Sequence, residues 1–263
     1  MIIRDRKFEG YTYVMAIINL TPDSFWKGSR VAADDALFAV EKAIKDGAAV
    51  IDIGAQSTRP GYTEVSADEE IRRFEEPLRR IRERFDVPVS VDTYFEKSAR
   101  AALETGADMI NDIWGLTHDA GMAKVIADHN AAVCIMHNSH TEVQDLWTEV
   151  PAFLQESANA ALEAGIQKDR ILLDGGIGFA KTMDQNRELM MHYDRLSALG
   201  YPLLLGTSRK RLFGGNVEDR LPQTVESSIR AAHQGILFVR VHDVKENAEG
   251  IEKAYGYSIH QGS

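Results

Sequence analysis

The chain has 263 residues, a length that suits one large domain or two small ones; a (β/α)8 barrel needs roughly 250. Hydrophobic residues make up 44% and charged residues 27%, so the chain can bury a large core without a structural metal or a disulfide. The formal net charge of −10 argues against a nucleic-acid or anionic-membrane partner, because the field of the protein repels phosphates. An anionic ligand would need a local cluster of basic side chains.

The single cysteine, Cys134, excludes a disulfide within the chain and provides no zinc-ligand pattern. It lies in an apolar run, where we expect a small buried side chain. The first residues contain no apolar stretch of signal-peptide length, and no segment approaches the roughly 20 apolar residues of a membrane span. We therefore expect a cytoplasmic protein that binds neither membrane nor nucleic acid.

Short apolar runs alternate with longer amphipathic segments along the chain, and eight of these runs are predicted strands. Several are rich in Val, Ile and Leu with little polar alternation, which is typical of parallel strands buried on both faces. The predicted strands cover residues 12–18, 50–53, 89–91, 109–110, 132–136, 171–173, 203–205 and 238–241.

Helix-forming sequence follows the predicted strands. Residues 68–85 place apolar side chains three and four positions apart on one face, and Pro77 predicts a kink there or a break into two helices. Further helices are predicted over residues 32–45, 98–105, 119–129 and 152–164. Glycine just past a helix is the usual C-terminal stop, and it occurs before the next strand at Gly47, Gly106, Gly165, Gly200 and Gly235.

The alternation of strands and helices predicts an α/β protein, a single (β/α)8 TIM barrel formed by one domain over residues 1–263. Such alternation implies a parallel sheet, and eight units in 263 residues fit a closed barrel better than an open sheet. An open doubly wound sheet is the alternative. No low-complexity linker and no change in composition divides the chain.

Polar side chains follow the predicted strands, and ring closure would place them around one pocket, since TIM-barrel chemistry lies at the carboxyl ends of the strands. Asp92, Asn111 and Asp174 follow the third, fourth and sixth strands. A carboxylate accepts two parallel N–H bonds, and an amide both donates and accepts. This set could bind a flat heterocycle with an amino group beside a ring N–H, such as a pterin or guanine. Helix caps and structural carboxylates beneath loops are the alternative.

The seventh and eighth strands carry a cluster of five basic side chains at or just beyond their ends, namely Arg209, Lys210, Arg211, Arg240 and His242. Phosphate sites in TIM barrels often use the loops after these two strands, and Arg and Lys both bind phosphate oxygens. A solvated basic turn is the alternative. No HExxH motif and no Cys/His spacing is present, so any metal should be a hard ion such as Mg²⁺. Phosphate oxygens, water and one side-chain oxygen would hold it, with Asn19 as the candidate ligand.

Seven motifs, in the family's order between about residues 12 and 255, make the chain resemble the dihydropteroate synthase family. They are INLTPDSF at 18–25, STRPG at 57–61, SVDTY at 90–94, INDIWG at 110–115, LLDGGIGF at 172–179, GTSRK at 206–210 and VRVHDV at 239–244. Several long motifs in one order are a far stronger signal than any one of them alone.

The resemblance implies a transferase of folate biosynthesis that forms a C–N bond. It would condense 6-hydroxymethyl-7,8-dihydropterin pyrophosphate with p-aminobenzoate, giving 7,8-dihydropteroate and pyrophosphate, with Mg²⁺ as cofactor. The resemblance also implies a homodimer. One alternative is a pterin-binding paralogue without synthase activity, and another is a methyltetrahydrofolate methyltransferase. Arg240 and His242 argue against the methyltransferase, because methyl transfer has no pyrophosphate to bind.

The resemblance also implies roles for individual residues, some of which have more than one. The pterin would be bound by Asp92, Asn111, Asp174 and Lys210. The pyrophosphate would be bound by Asn19, Thr58, Arg240 and His242, with Mg²⁺ on Asn19. The p-aminobenzoate would contact Thr58, Arg59, Pro60, Ser208, Phe25 and Phe179. The catalytic residues would be Asp92, Lys210, Asp23 and Arg59.

Several positions depart from the family's usual sequence. Lys27 stands in the first loop where the family has an acidic residue, close to where a cation would develop, and Gln56 replaces a glutamate. Gly175 stands where the family has proline after the aspartate, which loosens the backbone. The loop after His137 is short and atypical. We expect these changes to bear mainly on the second substrate, since the pterin and phosphate residues are intact.

Overall fold

Eight parallel strands close into a barrel in the computed structural model, which describes residues 1–20, 29–56 and 65–256, and the side chains of these apart from residues 29–32. The strands are β1 (Tyr13–Asn19), β2 (Ala48–Gly54), β3 (Val89–Asp92), β4 (Met109–Asp112), β5 (Ala132–Met136), β6 (Ile171–Asp174), β7 (Leu203–Leu205) and β8 (Phe238–Val241). Strand β8 pairs with both β7 and β1, which closes the ring. The predicted TIM barrel is confirmed, and the open sheet is wrong.

All eight predicted strands are present, but several extend one or two residues beyond their predicted ends. Asn19, Asp92, Asp112 and Asp174 are the last residues of their strands rather than the first residues of loops. Asp92 pairs in register with Asn111, and Asp174 pairs with both Met136 and Leu204. The barrel backbone therefore fixes the direction of these polar side chains.

Within the described ranges, an α-helix follows each strand and packs outside the barrel. The helices are α1 (Ser29–Lys45), α2 (Ala67–Arg84), α3 (Glu96–Thr105), α4 (Met122–Asp128), α5 (Leu146–Glu163), α6 (Met183–Met191), α7 (Leu221–His233) and α8 (Val244–Tyr255). The five glycines predicted to stop helices all have positive φ, 114° at Gly106. None of the helices in the described ranges is long and apolar enough to cross a membrane.

Helix α2 runs unbroken through Pro77, so the predicted break into two helices is wrong. Proline removes only one hydrogen bond from the helix interior. The fully buried face formed by Phe74, Leu78 and Ile81 holds both sides of the proline against the core. At the start of the helix, Ser66 accepts a hydrogen bond from the Glu69 amide and so caps the first turn.

Two other helices differ in length from their predictions because aspartates act as caps or turn formers. Helix α4 begins at Met122 rather than at Asp119, whose carboxylate accepts hydrogen bonds from the amides of Glu96 and Gly121. Helix α5 begins six residues earlier than predicted, because Asp145 accepts hydrogen bonds from the two amides that follow at positions 147 and 148. These contacts are short-range, but the apolar periodicity did not reveal them.

A short amino-terminal hairpin closes the end of the barrel away from the carboxyl ends of the strands, and the sequence analysis did not predict it. Its strands, Ile2–Ile3 and Arg6–Lys7, pair antiparallel. Ile3 and Phe8 pack against an inner core layer that includes Met15, Val50, Met109, Cys134, Leu172, Leu204 and Phe238. Cys134 is fully buried there, as predicted. The hairpin therefore covers the inner apolar layer at the amino-terminal end of the barrel.

Phe74 provides a test of the contact between α2 and the barrel. We expect Phe74→Ala to lower the free energy of unfolding by about 3–5 kcal/mol, because a fully buried ring is removed and a cavity is left. Phe38→Ala is the matched control: that ring, on α1, is 72% exposed, and its loss should change stability by less than about 0.5 kcal/mol. Urea titration measures both, and similar losses would contradict this packing.

Candidate functional site

Along the strands, the inner surface of the barrel changes from apolar to polar over a distance of two residues. Side chains two positions apart in a strand lie on the same face. The residue two positions beyond each of Val50, Met109, Leu172 and Phe238 therefore also faces inward, towards the carboxyl end. These residues are Asp52, Asn111, Asp174 and Arg240. The result is a polar layer on top of an apolar floor.

Arg240 lies at the centre of this layer and joins two buried carboxylates. Its Nε donates to Oδ2 of Asp52 at 2.6 Å, and its Nη2 donates to Oδ2 of Asp92 at 2.7 Å. The Asn111 amide lies 3.4 Å from the same oxygen of Asp52. Strands β2, β3, β4 and β8 are thus joined by charge-assisted hydrogen bonds, which are stronger than neutral ones.

Asp52 and Asp92 share the single guanidinium of Arg240. The group of three side chains therefore has one excess negative charge, which is buried. Burial, together with the neighbouring Asp52, raises the pKa of Asp92 to about 7 against the opposing effect of Arg240. Burial acts to lower the pKa of Arg240, but the two carboxylates outweigh it and raise that pKa, so the guanidinium stays charged. Oδ1 of Asp92 is buried without a hydrogen-bond partner in the described residues, so it can accept a bond from a ligand.

Asp174 and Lys210 form the neighbouring part of the layer. Both flank Gly206: a Cβ at that position would lie 3.6 Å from Oδ2 of Asp174 and 4.0 Å from Nζ of Lys210. Burial lowers the pKa of Lys210 to about 8, partly offset by Asp174. Its ammonium donates to the Ile177 carbonyl and lies 5.0 Å from the centre of the Phe179 ring. A glycine here leaves the space beside the carboxylate and the ammonium clear of a side chain.

A third group of polar side chains joins β1, the β7 loop and the end of β8. Nδ2 of Asn19 lies 3.4 Å from Nε2 of His242, and the other ring nitrogen of that histidine lies 2.9 Å from the Ser208 hydroxyl. Arg209 does not belong to this group, because it forms a two-point ion pair with Asp243, at 2.5 and 2.8 Å. Arg211 is exposed on a short 3-10 helix.

The predicted convergence is therefore found for the described residues. Ring closure brings Asp92, Asn111, Asp174, Lys210 and Arg240 to one end of the barrel, with Asn19, Ser208, His242 and Phe179 around them. Five other predicted site residues lie outside the described ranges, and so does the departure at Lys27. Those five are Asp23, Phe25, Thr58, Arg59 and Pro60.

Sequence reasoning missed Asp52, although a signal was present. An acid in the middle of the apolar run 50–53 must either face a buried partner or break the strand. In the folded chain it is fully buried against Arg240. The residue type and its inward position were both readable from the sequence, but its partner is 188 positions away.

A half-buried lysine in the loop after β6 was also missed. Nζ of Lys181 lies 2.9 Å from Nδ1 of His137 and donates to the carbonyls of Gly176 and Phe179, each at 3.1 Å. Burial lowers the pKa of Lys181 to about 7, and burial together with this lysine lowers the pKa of His137 to about 3. The histidine is therefore neutral, and the pair joins the β5 and β6 loops.

Two other polar residues of the rim have structural roles. Asp112 accepts hydrogen bonds from the amides of Trp114 and Leu116, both at 2.8 Å, and burial raises its pKa to about 6. Oε1 of Gln56 accepts a bond from the Val65 amide at 3.1 Å, across the base of the loop between them. Both residues fit the structural alternative to ligand binding, in which acids and amides after strands organise turns.

A cavity of about 400 Å³ lies at the opposite, amino-terminal end of the barrel. Its lining includes Arg4, Asp108, His129 and Arg170. The polar layer described above is at the carboxyl end, where TIM-barrel chemistry occurs, so this cavity is separate from the candidate site.

The contribution of Arg240 can be measured through stability. Arg240→Met leaves Asp52 and Asp92 buried without their cation, and we expect the free energy of unfolding at pH 8 to fall by about 3–5 kcal/mol. Arg209→Met is the matched control: it removes a more exposed ion pair, and its loss should cost at most about 1 kcal/mol. Equal losses in urea titrations of the two variants would contradict the central position of Arg240.

Comparisons with known proteins agree with this arrangement. The family described as "Pterin binding enzyme" matches residues 15–242. The dihydropteroate synthase of Clostridium beijerinckii is 46% identical over 244 residues, covering 90% of this chain and 91% of the relative. That of Bacillus subtilis is 45% identical over 243 residues, covering 90% and 85%.

Solved structures give the same result at the level of the fold. The dihydropteroate synthase of Clostridium difficile, in the presence of pteroic acid, matches with a TM-score of 0.92 and 38% identity, covering 95% of this chain and 98% of that one. The Xanthomonas albilineans enzyme with 4-aminobenzoic acid matches with a TM-score of 0.89 and 37% identity, covering 94% and 93%. The chain belongs to the family of pterin-binding enzymes and, within it, to the dihydropteroate synthases.

Proposed function

We propose that the polar layer at the carboxyl end of the barrel binds 6-hydroxymethyl-7,8-dihydropterin pyrophosphate and joins it to p-aminobenzoate. The observation that carries this proposal is the convergence of Asp92, Asn111 and Asp174 with Lys210 and Arg240 on one inward face. The names of the relatives favour a synthase over a methyltetrahydrofolate methyltransferase. A pterin-binding paralogue without synthase activity would share this layer and is separated by the turnover test below.

The pterin would lie with its amino-substituted edge against the carboxylates. Oδ1 of Asp92 and Oδ2 of Asp174 have no hydrogen-bond partner in the described residues, and each can accept an N–H from the ring. Asn111 can donate and accept on the same edge, and the Lys210 ammonium can donate to a ring nitrogen or carbonyl oxygen. A buried, partly paired set of this kind binds one heterocycle strongly because its groups are already desolvated.

The pyrophosphate would lie beside Asn19, Arg240 and His242, with Thr58 from the second loop. Nη1 of Arg240 makes no hydrogen bond to a described residue, so the guanidinium can still donate to a phosphate oxygen while it holds both acids. The family implies Mg²⁺, and Asn19 fits it by providing one hard side-chain oxygen at the end of β1. When bound with the pyrophosphate, Mg²⁺ would neutralise charge on the leaving group.

The reaction breaks the bond between the pterin methylene carbon and the pyrophosphate oxygen, and the pyrophosphate leaves with the electron pair. Asp92 would stabilise the cation that develops on the pterin methylene, and Arg240 would stabilise the negative charge on the leaving group. The amine of p-aminobenzoate then attacks this carbon and loses a proton. An amine is nucleophilic without a strong base, so the site needs no Ser–His or Cys–His pair.

The p-aminobenzoate would lie between Ser208, Phe179 and the two loops that contain Phe25, Thr58, Arg59 and Pro60. Ser208 contacts His242 and the Phe179 ring contacts Lys210, so this position adjoins both the pyrophosphate and the pterin groups. Asp23 and Arg59 remain predicted catalytic residues. Closure of the first loop would exclude water, which would otherwise react with the cation.

We further propose that the chain acts in the cytoplasm as a homodimer of one-domain subunits. The barrel takes strands from Tyr13 to Val241, which supports one domain over residues 1–263. The outer helices carry exposed apolar side chains, including Leu162 on α5 and Met191 on α6, which could pack against a second copy.

Turnover tests the proposed function. The purified chain should release pyrophosphate from the pterin pyrophosphate when p-aminobenzoate and Mg²⁺ are present.

Asp174→Asn should weaken pterin binding about tenfold or more, because it removes a charged acceptor of ring N–H bonds. Asp184→Asn, on the exposed start of α6, is the matched control and should match the parent. Tight pterin binding without turnover would favour the paralogue, and unchanged binding by Asp174→Asn would reject the assignment of the pterin site.

The pH dependence of pterin binding tests Asp92 separately. Its pKa is raised to about 7, so the carboxylate becomes protonated below that pH, and the neutral acid is a weaker acceptor for a ring N–H because it has lost its charge. We expect pterin affinity to rise between pH 6 and 7.5, by at most about tenfold per pH unit. Asp92→Asn should bind more weakly and lose this dependence. Calorimetric titration at several pH values measures it, and an unchanged slope in the variant would assign the dependence to another group.

A further inference from the structure

A buried tyrosine lies directly behind Asp174, on the side away from the candidate ligand site. Tyr193 is fully buried at the start of a 3-10 helix, Tyr193–Leu199, and its hydroxyl oxygen lies 2.9 Å from Oδ1 of Asp174. The Gly176 amide donates to the same carboxylate oxygen at 2.7 Å. Oδ1 is therefore held by the protein, while Oδ2 faces Gly206 and Lys210.

The hydroxyl of Tyr193 is itself fixed by two backbone groups. It accepts a hydrogen bond from the Gly175 amide at 2.6 Å, and the Leu204 carbonyl oxygen lies 2.6 Å away as a second possible acceptor. Burial raises the pKa of this hydroxyl well above its usual range, and so does Asp174, so its single proton is retained. That proton is shared between the Leu204 carbonyl and the carboxylate, and the negative charge favours the carboxylate.

The backbone at Gly175 contributes directly to this arrangement. Its amide donates to the Tyr193 hydroxyl, and a proline at this position would have no N–H to donate. The space at Gly175 is also occupied by the tyrosine: a Cβ there would lie 3.1 Å from the Tyr193 ring and 3.0 Å from Leu196. Gly175 and Tyr193 therefore fit each other in both hydrogen bonding and packing.

We propose that Tyr193 is a positioning residue for pterin binding. Its hydroxyl, oriented by the Gly175 amide, holds Oδ1 of Asp174 so that Oδ2 points at the ligand. This inference rests on the proposed function, because it takes Asp174 to be a pterin ligand.

Tyr193→Phe tests the hydroxyl while keeping the ring that fills the core. The affinity for 6-hydroxymethylpterin, which lacks the pyrophosphate and cannot react, should fall about five- to twentyfold, as expected for a lost hydrogen bond to a charged group. The KM for p-aminobenzoate should stay within about twofold. Tyr201→Phe, at a buried tyrosine just before β7, is the matched control and should bind the pterin like the parent. Parental pterin affinity in Tyr193→Phe would overturn the proposal.

A pair of substitutions at Gly175 separates the amide from the crowding. Gly175→Ala and Gly175→Pro both add a Cβ, but only the proline removes the N–H that orients the hydroxyl. We expect the proline variant to bind the pterin several-fold more weakly than the alanine variant, and this difference to disappear in the Tyr193→Phe background. The same difference in both backgrounds would overturn the role of the amide.

Two further measurements test the proposal without the Tyr193 and Gly175 variants and distinguish a wrong ligand site from a wrong positioning role. Hydrogen exchange of the unsubstituted protein requires no variant to fold: the Gly175 and Gly176 amides should be strongly protected without ligand, and exchange as fast as in an exposed loop would overturn the proposal. Asp174→Asn, measured alongside, separates the two failures. If it also binds the pterin normally, the proposed ligand site is wrong; if it weakens binding and Tyr193→Phe does not, only the positioning role is wrong.

Discussion

The ion pairs of Arg240 with Asp52 and Asp92 are the interaction on which the rest of the site depends. Two carboxylates and one guanidinium are withdrawn from water inside the barrel, and each would be strongly unfavourable alone. Their mutual attraction joins three strands at the level where the inner surface turns polar. It also leaves one excess negative charge. Burial, with this charge, raises the pKa of Asp92, and the layer suits a ligand that brings N–H donors and a developing positive charge.

The position of this layer follows from the geometry of strands and from closure of the ring. The inner apolar layer, closed below by Ile3 and Phe8, fixes which side chains of each strand face inward. The residues two positions further on must then face inward as well, towards the carboxyl end of the barrel. Stability and function are in this way separated along the same strands: Leu172 fills the floor, and Asp174 presents a carboxylate above it.

The loop after β6 shows how local contacts can order a segment that contains several glycines. Glycine by itself increases the freedom of the unfolded loop and weakens its order. Here the Gly175 amide donates to the Tyr193 hydroxyl, whose ring fills the space beside it, and Lys181 joins the loop to His137. The order of the backbone at Gly175 thus has a local structural explanation.

The eight strands, their parallel order, the barrel and the groups at its carboxyl end could be predicted from the sequence, because burial on both faces and the motifs around Asp92, Asn111 and Asp174 are local patterns. The helix stops at five glycines were also predicted correctly. Which groups meet depends on the folded chain: the pairing of Arg240 with Asp52, the contact of Lys181 with His137 and the support of Asp174 by Tyr193. These contacts join residues that strand order, closure and side-chain packing bring together, and no local pattern in the chain encodes their distances.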